Sequence, residues 1–275
     1  MRFHHTIKNQ NYIMMKNKFI ILITGALILS LNSCLEDLLF IRGNGIPETE
    51  TRRAGMFYKL ENSTSIDIVY KKADTTGITI EADENLLGYI VTETYNNTLE
   101  IKTRDWNTRL VFKERPLITI TSPRLESVII SGSGTFFADE MSGDAVIVKM
   151  NGSGDISADQ VTCKDLTVML SGSGNINIKN CQSISSDIFL SGSGNINIKG
   201  QSEDCDVKIT GSGEVFAENF LLGSTSVIIS GSGNAFINVE HALTGIISGS
   251  GNIYLKGNPT ISKIISGSGR IIKYK

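Results

Sequence analysis

Histidine is almost missing from this chain of 275 residues: His4, His5 and His241 are all it has. A lone histidine in the body of a chain cannot build a multi-histidine metal site, and His241 has no nucleophile elbow near it, so a serine-hydrolase triad lacks its base. Cysteine is scarce as well. Beyond Cys34 there are Cys163, Cys181 and Cys205, an odd number without Cys-x-x-Cys spacing, which admits at most one bridge between neighbouring repeats. Small buried thiols are expected instead. Basic stripes are lacking too, and the formal charge is −2, which argues against nucleic acid as a partner. No metal or cofactor is expected. The charge-free run from Phe19 to Leu31 is thirteen residues long, short of the roughly 20 that a membrane-spanning helix needs.

That run sits in a recognisable order. Met14 or Met15 offers a second start, after which come Lys16-Asn17-Lys18, the apolar run and Asn32-Ser33-Cys34, the three regions of a secretory signal. Leu31-Asn32-Ser33-Cys34 resembles the lipobox of bacterial lipoproteins. Residues 1–33 are therefore read as a lipoprotein signal peptide and Cys34 as the mature N-terminus, holding the membrane through its acyl chains. Cleavage removes four bases and no acid, leaving twenty-two bases against twenty-eight acids and a net charge of about −6. Residues 34–52 read as the lipidated N-terminus and a tether. Residues 53–275 read as a β-domain, with irregular strands over 53–127 and regular coils over 128–275.

What the chain has in abundance is Gly-Ser-Gly. Copies begin at Gly132, Gly152, Gly172, Gly192, Gly211, Gly231, Gly249 and Gly267, and a repeat this regular marks a solenoid. One Ser, Asn or Thr before each copy stands an apolar residue: Ile130, Met150, Leu170, Leu190, Ile209, Ile229, Ile247 and Ile265. A second apolar column, Val128, Val148, Val168, Ile188, Val207 and Val227, lies two residues upstream. After the glycines the alternation resumes through Phe136, Ile156, Ile176, Ile196, Val215, Ala235, Ile253 and Ile271. Period two with β-branched residues means strands on both sides of a glycine corner. Those corners are expected to need glycine because no side chain obstructs the turn and because φ is free to go positive. Each coil then lies on the next as parallel strands roughly 4.8 Å apart. The fold class read from this is all-β, a single-stranded parallel β-helix with coils of about 18–20 residues and an expected right-handed wind.

Outside the inward columns three features stand out. Asn175 and Asn195, then Asn234 and Asn252, occupy one corner position and read as a structural amide ladder. Asp139 and Asp159 fall on adjacent coils, where paired carboxylates suit a polysaccharide-active enzyme or, with Glu140, calcium. The same column continues through Lys179, Lys199 and Glu218, as a solvated edge does, so no catalytic residue is assigned. The third feature is the column between the inward positions of the second strand, running Phe137, Ser157, Asn177, Asn197, Phe216, Phe236, Tyr254 and Ile272. Phe216, Phe236 and Tyr254 form an outward aromatic stripe and are the candidate contact surface for a glycan, a protein or a second copy of the chain.

Gly43-Asn44-Gly45, Arg53 to Phe57, Glu81 to Leu87, Thr98-Leu99-Glu100-Ile101 and the repeated Gly-Ser-Gly-Asn-Ile resemble a bacterial domain family of unknown function, the putative auto-transporter adhesin head GIN domain, over roughly residues 43–275. The resemblance implies a β-helical envelope protein. The function expected is a lipid-anchored, outer-membrane protein that presents an adhesin-like binding or structural surface on the periplasmic or external side. The alternative is a β-helical polysaccharide lyase or hydrolase.

Overall fold

The computed structural model describes residues 39–274; Cys34 and the signal region lie outside them. Contacts divide these residues into two units. In the smaller, made of 39–41 and 105–109, the Leu39 amide donates to the Asn107 carbonyl at 2.9 Å. The larger unit is a β-solenoid, as the repeat requires. Its inward columns stack like on like in parallel register: Val128 faces Val148, Val148 faces Val168, Val168 faces Ile188, Ile188 faces Val207, and Val207 faces Val227. All six are at most 1% exposed. From Asn175 onward the strands lengthen, as in Asn175–Leu190 and Val215–Ile229, because the third side of each coil also joins the ladder.

The glycine corners are required for a different reason from the one the sequence suggested. Positive φ occurs at Gly45, Gly200 and Gly257 and at none of the eight corner glycines named above. A Cβ at Gly192 would instead overlap the backbone carbonyl of Gly172, and Gly152, Gly172, Gly211, Gly231, Gly249 and Gly267 meet the preceding corner in the same way. The corner backbones approach closely enough to hydrogen-bond, with the Ser193 amide donating to the Gly172 carbonyl and the Ser212 and Gly213 amides to that of Gly192, each at 3.2 Å. The constraint is thus close approach rather than backbone strain.

The coil geometry begins well before residue 128. Lys59–Asn62 pairs in parallel with both Thr98–Thr103 and Ser127–Ile130, and Asp67–Lys72 with both Leu117–Ser122 and Phe136–Ser142. Along the stack the order is therefore 98–103 with 117–122, then 59–72, then 127–142. The corner of the 59–72 coil has no glycine. There the buried Asn62 side chain accepts from the Thr64 amide at 2.9 Å and the Thr64 hydroxyl at 2.8 Å. Beneath this corner, the strand paired with Lys59–Asn62 ends at Thr103 and the strand paired with Asp67–Lys72 begins at Leu117.

Antiparallel strands cover that end. Ile90–Tyr95 folds back on Thr98–Thr103 through Asn96 and Asn97, whose φ values of 48° and 61° make a tight hairpin. Gly77–Asp83 runs antiparallel to Leu117–Ser122, and Pro47–Arg52 runs antiparallel to Gly77–Asp83. Residues 47–52, assigned from sequence to the tether, are thus a strand of the domain. Their polar run Pro-Glu-Thr-Glu-Thr-Arg carries no apolar alternation, because it lies mostly exposed at a sheet edge.

Candidate functional site: an outward aromatic ladder

Three consecutive strands, Val215–Ile229, Ala235–Ile247 and Ile253–Lys256, carry the aromatic residues. On each strand the flanking residues point inward and are fully buried: Val215 and Ala217, Ala235 and Ile237, Ile253 and Leu255. Strand alternation then forces the residue between them outward. Parallel register places Phe216 opposite Phe236, and Phe236 opposite Tyr254. The ring centroids are 5.1 Å apart at an interplanar angle of 15° for the first pair, and 4.6 Å apart at 6° for the second. All three residues remain partly exposed.

The rings stack nearly parallel about one strand spacing apart, so the facing sides of neighbouring rings are turned toward each other. What reaches solvent is a strip of ring edges. The column continues to Ile272 on one side and through Asn197 and Asn177 on the other. Beyond Ser157 it reaches Phe137, over which the Lys179 ammonium lies 5.9 Å from the ring centroid.

Beside the strip runs the amide ladder. Asn195 donates its amide to the Asn175 side-chain oxygen at 3.2 Å, Glu214 to that of Asn195 at 3.1 Å, and Asn252 to that of Asn234 at 2.9 Å. The ladder is longer than the asparagines alone indicate, since Asp155 accepts from the Asn175 side chain at 2.9 Å and Glu214 from that of Asn234 at 2.8 Å. Its groups serve the next coil, which is the structural role expected of them.

The acids around Asp139 and Asp159 are paired. Asp139 accepts from the Lys72 amide at 3.0 Å, the Lys72 ammonium pairs with Glu140 at 2.6 Å, and Asp159 pairs with Lys179 at 2.7 Å. Among the described residues no three His, Cys, Asp or Glu side chains are placed to hold a metal ion, so the calcium reading of Asp139, Asp159 and Glu140 finds no support. Cys163, Cys181 and Cys205 are all free thiols, the last two buried. Burial pushes Cys163 up to about 11 and Cys181 up to about 12, and raises Cys205 as well.

One cluster escaped sequence reasoning. Asp83 is fully buried, yet its carboxylate accepts from the Gly45 amide at 2.6 Å and the Lys113 amide at 2.9 Å. Burial opposes its ionisation, but these amide bonds prevail and hold it below the usual carboxylate range. A Cβ at Gly43 would overlap that carboxylate, and Gly45 has a φ of 80°. Asn85 adds two bonds, accepting from the Asn44 amide and donating to the Arg42 carbonyl, both at 2.9 Å. Gly43-Asn44-Gly45 and Asp83-Glu84-Asn85 are therefore halves of one structural lock.

The solved structures that resemble this chain share its fold. A crystal structure from Parabacteroides distasonis, described as a putative lipid binding protein, is 30% identical with a TM-score of 0.79, covering 86% of this chain and 100% of that one. A second, described as a putative adhesin from Parabacteroides merdae, is 26% identical with a TM-score of 0.80, covering 86% and 99%. A putative adhesin from Bacteroides fragilis, 22% identical with a TM-score of 0.65 and covering 85% and 100%, shows the fold alone. No curated protein matches the chain. The family model described as putative auto-transporter adhesin, head GIN domain matches residues 56–259, and the chain belongs to that family.

Proposed function

We propose that this chain is a lipid-anchored envelope protein, held to the outer membrane through Cys34, whose solenoid displays the Phe216–Phe236–Tyr254 strip as an adhesin-like contact surface. The observation that carries the reading is the strip itself: three in-register aromatics point away from a core that is already filled. Face stacking on a sugar needs an open ring face, and the stack turns most of those faces toward neighbouring rings. A continuous apolar edge instead suits burial against an apolar strip on a partner protein. The family's adhesin description and the lipobox-like sequence at Cys34 support an exported, surface-directed role. The paired state of Asp139 and Asp159 disfavours the enzyme alternative.

The test is the triple variant Phe216→Ser, Phe236→Ser, Tyr254→Ser. Two stacked pairs are worth about 1–3 kcal/mol together, so the variant is expected to stay folded with a modestly lower melting temperature. It is also expected to lose binding to intact cells of the source bacterium in flow cytometry, or to lose self-association in analytical ultracentrifugation. Unchanged binding and association, or a collapse of stability far beyond that range, refutes the contact role.

A further inference from the structure

The coil that carries Thr260–Ile265 and Ile271–Lys273 is distinguished by its charge and exposure. After Glu240 the chain has no acidic residue, while Lys256, Lys263, Arg270, Lys273 and Lys275 follow. The chain as a whole is slightly acidic, so positive charge is concentrated at one end of the stack. The same end carries exposed apolar surface: Ile264 is 66% exposed, Ile265 38%, and Ile272 and Tyr274 37% each.

Two of the lysines stand where the fold calls for apolar residues. Lys263 is in register with the buried Gly245, and Lys273 with the fully buried Leu255. In the coils before, these inward positions hold Val207 and Val227, and Ala217 and Ile237, all buried. A further coil laid on this one would bury both ammonium groups without a counter-charge, which is costly. The end is therefore closed to further stacking by its own residues. Lys273 reaches back to the Asn258 side-chain oxygen at 2.9 Å, and Lys263 and Arg270 are exposed.

Inward lysines also protect the open strand edges of Thr260–Ile265 and Ile271–Lys273 against pairing with another chain. Two such ends meeting would oppose like charges. A second copy is thus a poor occupant for this surface. Aliphatic side chains ringed by Lys and Arg, with a tyrosine at the margin, match instead the chemistry of a lipid headgroup layer: apolar groups enter the acyl boundary, cations meet the phosphates, and Tyr favours the interface. We propose that the C-terminal end of the solenoid, formed by Lys263, Ile264, Arg270, Ile272, Lys273 and Tyr274, docks on an anionic phospholipid surface. This contact is separate from the aromatic strip and from any acyl chain on Cys34.

The experiment uses the chain from residue 34 onward, which retains every described residue, with Cys34→Ser so that no acyl chain supplies affinity. Co-sedimentation is measured with vesicles of phosphatidylcholine alone, and of phosphatidylcholine with roughly one-third phosphatidylglycerol, at about 0.05 M and about 0.5 M salt. Binding is expected to the anionic vesicles only, and to be lost at high salt. Lys263→Glu with Arg270→Glu and Lys273→Glu should weaken it on the order of a hundredfold, given the known attraction per basic residue at an anionic surface. Ile264→Ser with Ile272→Ser should weaken it about tenfold while keeping the salt dependence, since only the apolar part is removed. All five side chains are exposed, so melting temperatures close to that of the parent chain should accompany both variants. Equal binding to neutral and anionic vesicles, no vesicle binding by the parent chain, or binding that survives the charge reversal overturns the proposal. So does a dimer that the Ile264→Ser, Ile272→Ser variant dissolves in the absence of any vesicle binding.

Discussion

Adding a single methyl group at a corner glycine separates crowding from backbone strain as the reason for the repeat. At Gly192 the new Cβ would overlap the Gly172 carbonyl, with the Gly172 amide nitrogen also within 3.1 Å. Both are backbone atoms in a coil held from its other side by Gly152 and its neighbours, so no flexible side chain can yield. Relief requires the two coils to part locally. That loosens the Ser193 bond to Gly172 and the Ser212 and Gly213 bonds to Gly192, three backbone hydrogen bonds worth about 1 kcal/mol each, and opens the packing beneath them. Gly192→Ala should therefore cost roughly 3–5 kcal/mol, a fall in melting temperature on the order of 10 °C for a domain of this size. The control is Gly88→Ala in the 3-10 turn Glu84–Tyr89, where a Cβ would meet nothing nearer than the Arg104 guanidinium at 4.0 Å. It should shift stability by less than about 1 kcal/mol. Thermal unfolding by far-ultraviolet circular dichroism measures both, with Asn197→Ser as a surface reference. Equal shifts for Gly192→Ala and Gly88→Ala would show that the coils have slack at the corner and that the crowding argument is wrong.

Asp83 sets an acid limit on stability. Its folded pKa lies below the usual value of 3.8, so its stabilisation is complete above that value and is lost as pH falls through the folded one. Asp83→Asn should melt several degrees lower than wild type near pH 7, and the gap should narrow toward about pH 3; a gap independent of pH contradicts this. The thiols should titrate by burial: with Cys34→Ser, Ellman's reagent at about pH 8 should find Cys163 first and reach Cys181 and Cys205 only on unfolding. Early reaction of Cys205 in folded protein would refute the packing of its coil. Metabolic labelling with a fatty-acid analogue should mark the wild-type chain and not Cys34→Ala, and label retained in that variant ends the lipoprotein reading.

The regular coils were legible because a repeat states the same fact many times. A column that is apolar in copy after copy admits one register, and slipping it by a residue would turn every core side chain outward. For the same reason the aromatic strip could be read at Phe216, Phe236 and Tyr254 before any coordinates, since register and outward direction are both local consequences of the alternation. How the rings stack was not legible, because offset and tilt depend on side-chain packing between coils. Nor was the cause of the corner glycines: the sequence says that no side chain is tolerated, whereas the carbonyl of the coil beneath says why. The order of the first coils was hidden most completely. Lys59–Asn62 carries the same alternating pattern wherever it lies, and only the tertiary pairing inserts it between Thr98–Thr103 and Ser127–Ile130. Asp83 and Gly43-Asn44-Gly45 meet only because the antiparallel pairing of Pro47–Arg52 with Gly77–Asp83 brings two segments some forty residues apart to one strand end. A period records which residues face inward; which strand lies beneath which is decided by contacts that no single stretch of chain contains.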